Sequence, residues 1–230
     1  MPRSVELSVV IPVYNSAEIF PELHRRLTAA LSGHVASWEL VAVVDGCTDC
    51  SFEVIASVAR VDGRVRALEF SRNFGHQAAV SAGLARAAGE WVAVMDDDLE
   101  DPPEALVALL EKAREGYDVV YGIRRARKRS LLHRCLYASF YRVLNRLVDV
   151  NMPSDAGDFC VMRREVVDVL NRMPECNRYL RGLRAWVGFR QTGVEYERQE
   201  RYAGRPGYNL RKYLNLAAHA IFAFSYKPLQ

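Results

Sequence analysis

A dense group of carboxylates follows an apolar run in the stretch VMDDDLEDPP, residues 94–103. Side chains of one charge repel one another at close range, so such a run indicates a bound cation. Hard divalent cations prefer oxygen ligands, and Mg²⁺ usually takes one or two protein carboxylates together with substrate phosphates. A turn at a strand end would let Asp96 and Asp98 reach one ion, with Glu100 as a third ligand. We therefore predict a site for Mg²⁺ or Mn²⁺ at these three residues.

A second interpretation of the same stretch is an acidic turn that caps the next helix. Asp101 precedes Pro102 and Pro103, and proline is tolerated in the first turn of a helix. Asp101 would then be the N-cap of a helix over 103–115. This interpretation accounts for Asp101, but it does not account for three acidic residues directly after a buried strand.

The elements that must position these residues alternate regularly in the first half of the chain. The predicted strands are 7–13, 38–44, 64–70, 91–95 and 117–122, and the predicted helices are 17–32, 49–60, 75–88 and 103–115. This alternation predicts an α/β fold, with a mostly parallel sheet flanked by helices. Ligands of such sheets bind beyond the carboxyl ends of the strands, where this chain places polar residues: Tyr14 and Asn15, Asp45, Ser71 to Gly75, and Asp96 to Asp98.

The pattern changes after residue 122. A basic stretch over 124–134 leads into an amphipathic helix over 131–149, and the chain ends with a second amphipathic helix over 209–225. Between them we predict a strand over 158–162, helices over 163–172 and 178–187, and an extended segment over 190–197. We expect the two amphipathic helices to lie on an anionic membrane surface; the alternative is that their apolar faces pack on the sheet. No run of about 18 apolar residues occurs, so no membrane-spanning helix is predicted.

Composition and missing motifs limit the class of protein. The chain has 230 residues, 50% of them hydrophobic, a net charge of +3 and five cysteines. An odd cysteine count without a signal-peptide pattern favours a cytoplasmic protein, either in solution or at the cytoplasmic face of the membrane. The GxGxxG of dinucleotide-binding proteins and the GxxxxGK[ST] of P-loop proteins are lacking, and we expect no nucleic-acid partner. Phosphohydrolases with an aspartyl nucleophile usually carry their DxD after the first strand, whereas here it follows the fourth.

Seven stretches carry a family resemblance: VVIPVYN (9–15), VVDGCTD (43–49), SRNFGHQAAVSAGLARAAGEWVAVMDDDLEDPPE (71–104), EGYDVVYGIR (115–124), GDFCVMRREVV (157–167), RGLRAWVGFRQTGVEYERQERYAG (181–204) and FSYKPL (224–229). In this order they resemble family 2 glycosyltransferases of GT-A fold. Within that family the chain looks most like the polyprenyl-phosphate glycosyltransferases, which include dolichol-phosphate mannose synthases and bacterial undecaprenyl-phosphate sugar transferases. The combination of SRNFGHQ with DxDxxDPP at this spacing is the specific part of the resemblance.

The resemblance implies a GT-A catalytic domain over 1–204 and a C-terminal loop and amphipathic helix over 205–230. It also implies an inverting, metal-dependent transfer of a sugar from a nucleotide-sugar donor, a UDP- or GDP-sugar, to a polyprenyl phosphate. A leaving nucleoside diphosphate gains negative charge, which a divalent ion neutralises.

The resemblance also assigns roles to individual residues. The expected nucleotide-sugar site consists of Pro12, Tyr14, Asn15, Asp45, Asp96 and Asp97, and the expected metal ligands are Asp96, Asp98 and Glu100. The acceptor phosphate is expected to contact Arg201, Arg205 and His76. Asp158, Asp98 and Arg124 are the expected catalytic residues, with Asp158 acting either as a base or as an orienting group.

Two departures from the family pattern leave other functions open. Relatives commonly carry VDDGS where this chain has Val44, Asp45, Gly46 and Cys47, and many carry Ser-Lys-Tyr where Pro206, Gly207 and Tyr208 stand here. One alternative is the same donor chemistry on a soluble hydroxyl acceptor, for which Asp158 would be an obligatory base. A second alternative is a non-catalytic partner that binds sugar nucleotides.

Overall fold

The computed structural model describes residues 5–125, 156–175 and 178–199. Within these ranges, seven strands form one sheet in the order β3-β2-β1-β4-β6-β5-β7. The strands are β1 Leu7–Val13, β2 Trp38–Val44, β3 Val65–Glu69, β4 Trp91–Val94, β5 Val119–Arg124, β6 Ala156–Arg163 and β7 Gln191–Tyr196. The helices are α1 Phe20–Leu31, α2 Ser51–Val61, α3 His76–Arg86, α4 Ala105–Arg114, α5 Arg164–Arg172 and α6 Leu180–Trp186.

The sheet is parallel except at β6, which runs antiparallel to both β4 and β5. The predicted α/β fold with a mostly parallel sheet flanked by helices is therefore confirmed. Because β6 is reversed, its beginning lies at the sheet edge where the parallel strands end. Asp158, two residues before the Cys160 that pairs with Val94, is placed at that edge.

Two apolar layers cover the sheet, one on each face. Alternate residues of the central strands point to opposite faces, as strand geometry requires. Val9, Ile11, Leu40 and Ala42 pack with α1, α2 and α4, whereas Val10, Val41 and Val43 pack with α3, α5 and α6. Burial on both faces explains why these strands read as continuous apolar runs.

The predicted helix over 103–115 begins later than expected, at Ala105. Pro102 and Pro103 form the preceding turn, where their carbonyl oxygens accept hydrogen bonds from the amides of Ala105 and Leu106. The interpretation of Asp101 as a helix cap is wrong, because the N-cap position is occupied by Glu104. Asp101 instead lies buried against β5 and β7, as described below.

The predicted amphipathic helices over 131–149 and 209–225 lie outside the described residues, so their expected contact with a membrane surface stays a prediction. Within the ranges that the structure covers, the helices are too short or too polar to cross a bilayer.

Candidate active site at the carboxyl edge of the sheet

The loop that follows β4 is held in a constrained conformation. Met95 is buried and donates its amide to the carbonyl of Val10, which continues the sheet contact for one more residue. Leu99 has φ of 59°, a left-handed value that a branched side chain rarely adopts, and it is only 1% exposed. Strain of this kind persists where the surroundings fix the backbone, and it concentrates at functional sites. The burial of Leu99 therefore fixes the turn between Asp98 and Glu100.

Asp97 braces the turn at the end of β1. Its carboxylate accepts a hydrogen bond of 2.6 Å from the Ser16 hydroxyl and one of 3.1 Å from the Tyr14 amide. Burial raises the pKa of the Asp97 carboxyl, and these hydrogen bonds oppose that shift. Asp97, predicted to lie in the nucleotide-sugar site, thus fixes the loop that presents Tyr14.

The β1 exit is also tied to the β2 exit. Asn15 adopts φ of 54°, a conformation that asparagine tolerates, and its side-chain oxygen accepts a 2.8 Å hydrogen bond from the Thr48 amide. The Tyr14 side chain is 52% exposed, so its ring faces solvent above the strand ends. Pro12, by contrast, is buried within β1 beside Val43. Of the residues expected around the nucleotide, Tyr14 is therefore placed at the surface and Pro12 in the core.

Asp45 holds the loop that leads into α3. It is 3% exposed, and its two carboxylate oxygens accept hydrogen bonds from the amides of Phe74 and Gly75 at 2.7 and 2.9 Å. The Asn73 side chain donates to the Asp45 carbonyl at 3.1 Å. Membership of Asp45 in the nucleotide-sugar site stays a prediction; its carboxylate is engaged by the protein backbone and fixes the position of the loop.

His76, the first residue of α3, lies between two carboxylates. Its Nε2 atom is 3.8 Å from Asp96 Oδ1 and 3.5 Å from Asp158 Oδ2. Burial alone would lower the pKa of His76, but the neighbouring carboxylates of Asp158 and Asp96 outweigh it and raise the pKa to about 9. His76 was expected at the acceptor phosphate, and the structure brings it together with Asp96 and Asp158.

Asp158 is held from the other side by α6. The Arg181 Nε atom lies 3.4 Å from Asp158 Oδ1. Burial would raise the pKa of Asp158, but the Arg181 guanidinium and His76 hold it well below its usual range. Asp158 is therefore ionised at neutral pH and is a weak base.

A second arginine of α6 adds positive charge beneath Asp158. Arg184 is 5% exposed, and its Nη2 atom donates to the Gly157 carbonyl at 3.2 Å. The side-chain amide oxygen of Gln77 accepts from the Leu180 amide at 2.8 Å and fixes the start of α6 against α3. A small pocket between α3, β6, α5 and α6 adjoins Asp158, Arg181 and Arg184, and the rest of its lining is mostly apolar.

Arg124 is engaged in a buried polar group on β5 and β7. Its Nη2 atom lies 3.1 Å from Asp101 Oδ2, its Nε atom donates to the Tyr196 hydroxyl, and that hydroxyl donates in turn to Asp101. Asp101 is only 2% exposed, so the contacts from Arg124 and Tyr196 stabilise a carboxylate that is buried away from water. Arg124, expected to be catalytic, is placed next to the acidic loop with its charge already paired.

The expected metal ligands fit a divalent ion in part. Asp96 Oδ1 is buried and accepts no hydrogen bond from the described residues, and burial together with Asp158, Asp101 and Asp98 raises the pKa of Asp96 to about 6. His76, 3.8 Å away, only partly offsets this shift, and a cation would relieve the remaining repulsion among the carboxylates. Asp98 accepts a hydrogen bond from the Glu100 amide at 3.0 Å. Asp96 and Asp98 thus match the one or two carboxylates that Mg²⁺ takes.

Glu100, the third expected ligand, already has a partner in the structure. Its carboxylate pairs with the guanidinium of Arg198. In the ranges that the structure covers, no three His, Cys, Asp or Glu side chains are grouped so that they alone could hold a metal ion. The role of Glu100 as a third ligand stays a prediction, and substrate phosphates would have to supply further ligands.

Some functional candidates were not found by sequence reasoning. Arg181 and Arg184 are three residues apart in a predicted helix, which places them on one face. That spacing was a usable signal for a paired cationic site, but which element they face depends on the packing of α6. Arg201 and Arg205, expected at the acceptor phosphate, lie outside the described residues.

Comparison with known sequences gives a consistent assignment. The family model for "Glycosyl transferase family 2" matches residues 8–170. The glycosyltransferase YkcC of Bacillus subtilis is 43% identical over an alignment that covers 100% of this chain and 72% of that protein. The bactoprenol glucosyl transferase of Shigella phage SfV is 36% identical over 98% of this chain and 74% of its own length.

Solved structures share the fold at lower identity. The mannosyltransferase PcManGT from Pyrobaculum calidifontis, in complex with GDP-Man and Mn²⁺, has a TM-score of 0.61 at 20% identity, over 88% of this chain and 58% of that one. Glucosyl-3-phosphoglycerate synthase from Mycobacterium tuberculosis, with Mn²⁺, UDP and glucosyl-3-phosphoglycerate, has a TM-score of 0.58 at 20% identity, over 94% and 77% of the two chains. The sheet order, the site at its carboxyl edge and these matches agree: the chain is a glycosyltransferase of GT-A fold and belongs to glycosyl transferase family 2.

Proposed function

We propose that this glycosyltransferase moves a sugar from a UDP- or GDP-sugar to a polyprenyl phosphate, with inversion at the anomeric carbon and with the help of Mg²⁺ or Mn²⁺. The bactoprenol glucosyl transferase relative, alignable over 98% of this chain, supports the lipid acceptor. The fold neighbours bound to GDP-Man or UDP together with Mn²⁺ support the donor class and the metal.

The donor side of the proposed site is the edge formed by the β1 and β4 exits. Asp96 and Asp98 would hold the divalent ion, and the exposed Tyr14 ring would contact the nucleotide. The ion, when bound, neutralises the charge that develops on the departing diphosphate. Asp97, Asn15 and Asp45 would act indirectly, because their hydrogen bonds fix the loops that carry Tyr14 and His76.

The acceptor side is marked by Asp158 and the cations around it. An attacking hydroxyl needs a base that removes its proton, and a carboxylate with a strongly lowered pKa does this poorly. A phosphate acceptor is already anionic and needs positive charge and orientation instead. The observation that carries the proposal is that His76, Arg181 and Arg184 surround Asp158 and keep it ionised.

The proposed transfer needs no proton to be removed. One oxygen of the acceptor phosphate forms a bond to the anomeric carbon, while the bond from that carbon to the donor diphosphate breaks in line behind it. Asp158 orients Arg181 and His76, which lie within 3.4 and 3.5 Å of its two oxygens. Arg201 and Arg205 would add contacts to the acceptor phosphate.

The acceptor class can be tested with two lipids that differ by one group. Labelled UDP- and GDP-sugars are incubated with Mn²⁺ and either a short polyprenyl phosphate or the polyprenol of the same length. We expect label to appear in lipid with the phosphate and not with the alcohol.

Replacing Arg181 tests whether the basic side chains around Asp158 bind the acceptor phosphate. Arg181→Gln should raise the KM for polyprenyl phosphate by about tenfold or more, since a charge-assisted contact is lost. Equal transfer to the alcohol, or to a soluble glycan in preference to the lipid phosphate, would contradict the proposal. If no donor is turned over with any acceptor, the non-catalytic alternative is favoured.

A further inference from the structure

The small pocket beside Asp158 has an apolar wall that the proposed chemistry does not yet use. Val80 and Leu84 of α3, Met162 of β6 and Leu170 of α5 belong to this wall, and each of them is at most 3% exposed. Sites for small molecules are typically of this kind, mostly apolar with a few polar groups. These four side chains offer burial from water but almost no hydrogen bonding, so the wall suits a hydrocarbon group and not a sugar hydroxyl.

The polar part of the same lining carries a net positive charge. It consists of Gln77, Asp158, Arg181 and Arg184, so two guanidinium groups and one carboxylate leave one positive charge. The side chains of Asp158 and Arg181 are 23% and 24% exposed, and this part of the lining therefore meets solvent. The pocket thus combines a solvent-contacting cationic part with a buried apolar part, which matches a molecule with an anionic head and a hydrocarbon chain.

The buried arginine of this lining has an unused hydrogen-bond donor. Arg184 is 5% exposed, and its Nη2 atom donates to the Gly157 carbonyl, but its Nε atom has no hydrogen-bond partner among the described residues. A buried donor without a partner costs free energy, and the cost is larger when the group is charged. An anionic group bound in the pocket would reduce this cost.

Two side-chain amides fix the spacing of the helices around the pocket. The Gln77 side-chain oxygen accepts a 2.8 Å hydrogen bond from the Leu180 amide, and the Asn171 side chain donates to the Leu84 carbonyl at 3.3 Å. Since Gln77 and Leu84 belong to α3, these bonds connect α6 and α5 to that helix. The protein therefore forms the pocket before a ligand binds, which lowers the cost of binding.

We propose that this pocket binds the first isoprene unit of the acceptor lipid, the five-carbon unit bonded to the phosphate, while Arg181 and Arg184 contact the phosphate. A polyprenyl phosphate carries its anionic group directly on a branched apolar chain, as the lining requires. Because the pocket is small, it holds this one unit, and the rest of the chain stays outside. The assignment rests on the proposed function, because it assumes a polyprenyl-phosphate acceptor, and it adds the feature that separates a prenyl phosphate from other phosphate monoesters.

Methionine methyl resonances test the occupant of the pocket directly. Met162 lines the pocket, whereas Met95 is buried in the apolar layer on the other face of the sheet and is the control in the same spectrum. The full chain with isotope-labelled methionine methyl groups is titrated with dimethylallyl phosphate, and separately with methyl phosphate, which lacks the isoprene unit. We expect the Met162 resonance to shift with dimethylallyl phosphate only and the Met95 resonance to shift with neither. Dimethylallyl phosphate should bind about tenfold or more tightly than methyl phosphate, since its five-carbon group is removed from water.

A pair of matched variants tests the same pocket by filling it. Val80→Ile adds one methylene group at the apolar wall, and it should weaken binding of dimethylallyl phosphate by about three- to tenfold while methyl phosphate binding changes less than about twofold. Val167→Ile adds the same group to the same apolar layer, at a buried residue of α5 that is not part of the pocket lining. It should leave binding of both phosphates within about twofold of the unmodified protein.

The outcomes separate this assignment from the proposed function. A Met162 resonance that does not respond to dimethylallyl phosphate, equal affinity for the two phosphates, or equal effects of the two variants would overturn the pocket assignment. If sugar is nevertheless transferred to a polyprenyl phosphate, the proposed function stands without it. If Met162 responds as expected but no sugar is transferred to a polyprenyl phosphate, the pocket is a prenyl-phosphate site and the proposed function is contradicted.

Discussion

At the scale of single residues, Gly46 shows how tightly the site loops are built. Its φ is +59°, and a Cβ added there would lie 2.3 Å from the Arg72 carbonyl carbon and the Asn73 nitrogen. The backbone after β2 can therefore approach the loop that carries His76 only because residue 46 has no side chain. Asp45, the preceding residue, then holds that loop through the amides of Phe74 and Gly75.

Gly46→Ala should destabilise the protein by about 1–3 kcal/mol, from left-handed strain together with the clash. It should also weaken binding of the donor nucleotide, because Gly46 directly precedes Cys47 and Thr48, which hold the Asn15 turn beside Tyr14. Gly63→Ala is the control, since a Cβ there meets nothing within 4 Å and the backbone is not left-handed. Urea unfolding and nucleotide titration check both variants; equal stability of the two would contradict the close approach described here.

The buried Asp101 gives a second residue-scale prediction. Tyr196→Phe removes the hydroxyl that donates to Asp101 and leaves the buried Oδ1 atom of Asp101 without this hydrogen bond. The expected loss of stability is about 1–3 kcal/mol. Tyr117→Phe, whose ring packs against Lys112 and Arg190, should change the free energy of unfolding by less than about 0.5 kcal/mol. A Tyr196→Phe protein as stable as this control would show that Arg124 alone satisfies Asp101.

The sequence predicts which acidic residues belong to the candidate site, because they stand directly after predicted strands or in family motifs. Asp96, Asp98 and Asp158 were named from their motifs, and the structure places Asp96 and Asp158 on either side of His76. The partners could not be predicted, because they depend on long-range packing. The Glu100 carboxylate pairs with Arg198, and the Asp45 carboxylate accepts hydrogen bonds from backbone amides. The local sequence does not reveal either of these contacts.

At the scale of elements, the strand ends opposite the site are held by a separate buried network. The Ser8 hydroxyl donates to the Glu39 carboxylate at 2.6 Å, and that carboxylate also accepts from the Ala88 amide at 2.7 Å and from Arg66 at 3.1 Å. Ser8, Glu39 and Ala88 belong to β1, β2 and the turn before β4. The network therefore fixes three elements relative to one another at the end of the sheet away from the candidate site.

This network should make part of the stability depend on pH. Burial would raise the pKa of Glu39, but the hydrogen bonds from Ser8, Ala88 and Arg66 outweigh it and lower the pKa from its usual value of 4.5. A lowered folded-state pKa contributes stability above the unfolded pKa, and this stability is lost as the pH falls through the folded value. Glu39→Gln should therefore be less stable than the unmodified protein at pH 7, and the difference should shrink below about pH 4.5. Denaturant unfolding at several pH values, with the exposed Glu53→Gln as control, checks this; a difference independent of pH would be the contrary result.

Most helices and strands can be predicted from the sequence, because the spacing of apolar residues and the length of each segment distinguish them. Strands β1 and β2 match the predicted bounds, and the ends of most other elements shift by one to three residues. The fifth strand shifts by two residues, to Val119–Arg124, since its register is set by pairing with β7 and by an irregularity between Tyr121 and Ile123. The reversed direction of β6 was not predictable, because a single apolar strand carries no sign of its orientation.

At the scale of the whole molecule, one sheet edge collects both halves of the proposed reaction. The parallel strands β1, β2 and β4 bring the donor residues there, and the reversed β6 brings Asp158. Helices α3 and α6 then add His76, Arg181 and Arg184 from one face. The fold thus places carboxylates that could hold a metal ion beside basic side chains that could hold an anionic acceptor. Transfer between two phosphate-bearing substrates requires positive charge at both phosphates, and this arrangement would supply it.

The central claim is that the carboxylates ending β4 hold a divalent ion together with the donor diphosphate. The most direct measurement is the free Mn²⁺ signal in electron paramagnetic resonance, titrated with protein in the presence and absence of UDP and GDP. We predict that the unmodified protein and Asp118→Asn, altered at the far end of the sheet, remove free Mn²⁺ when nucleoside diphosphate is present. Asp96→Asn and Asp98→Asn should weaken this by about tenfold or more. Equal Mn²⁺ uptake by all four proteins, or uptake that nucleotide does not enhance, would contradict the claim.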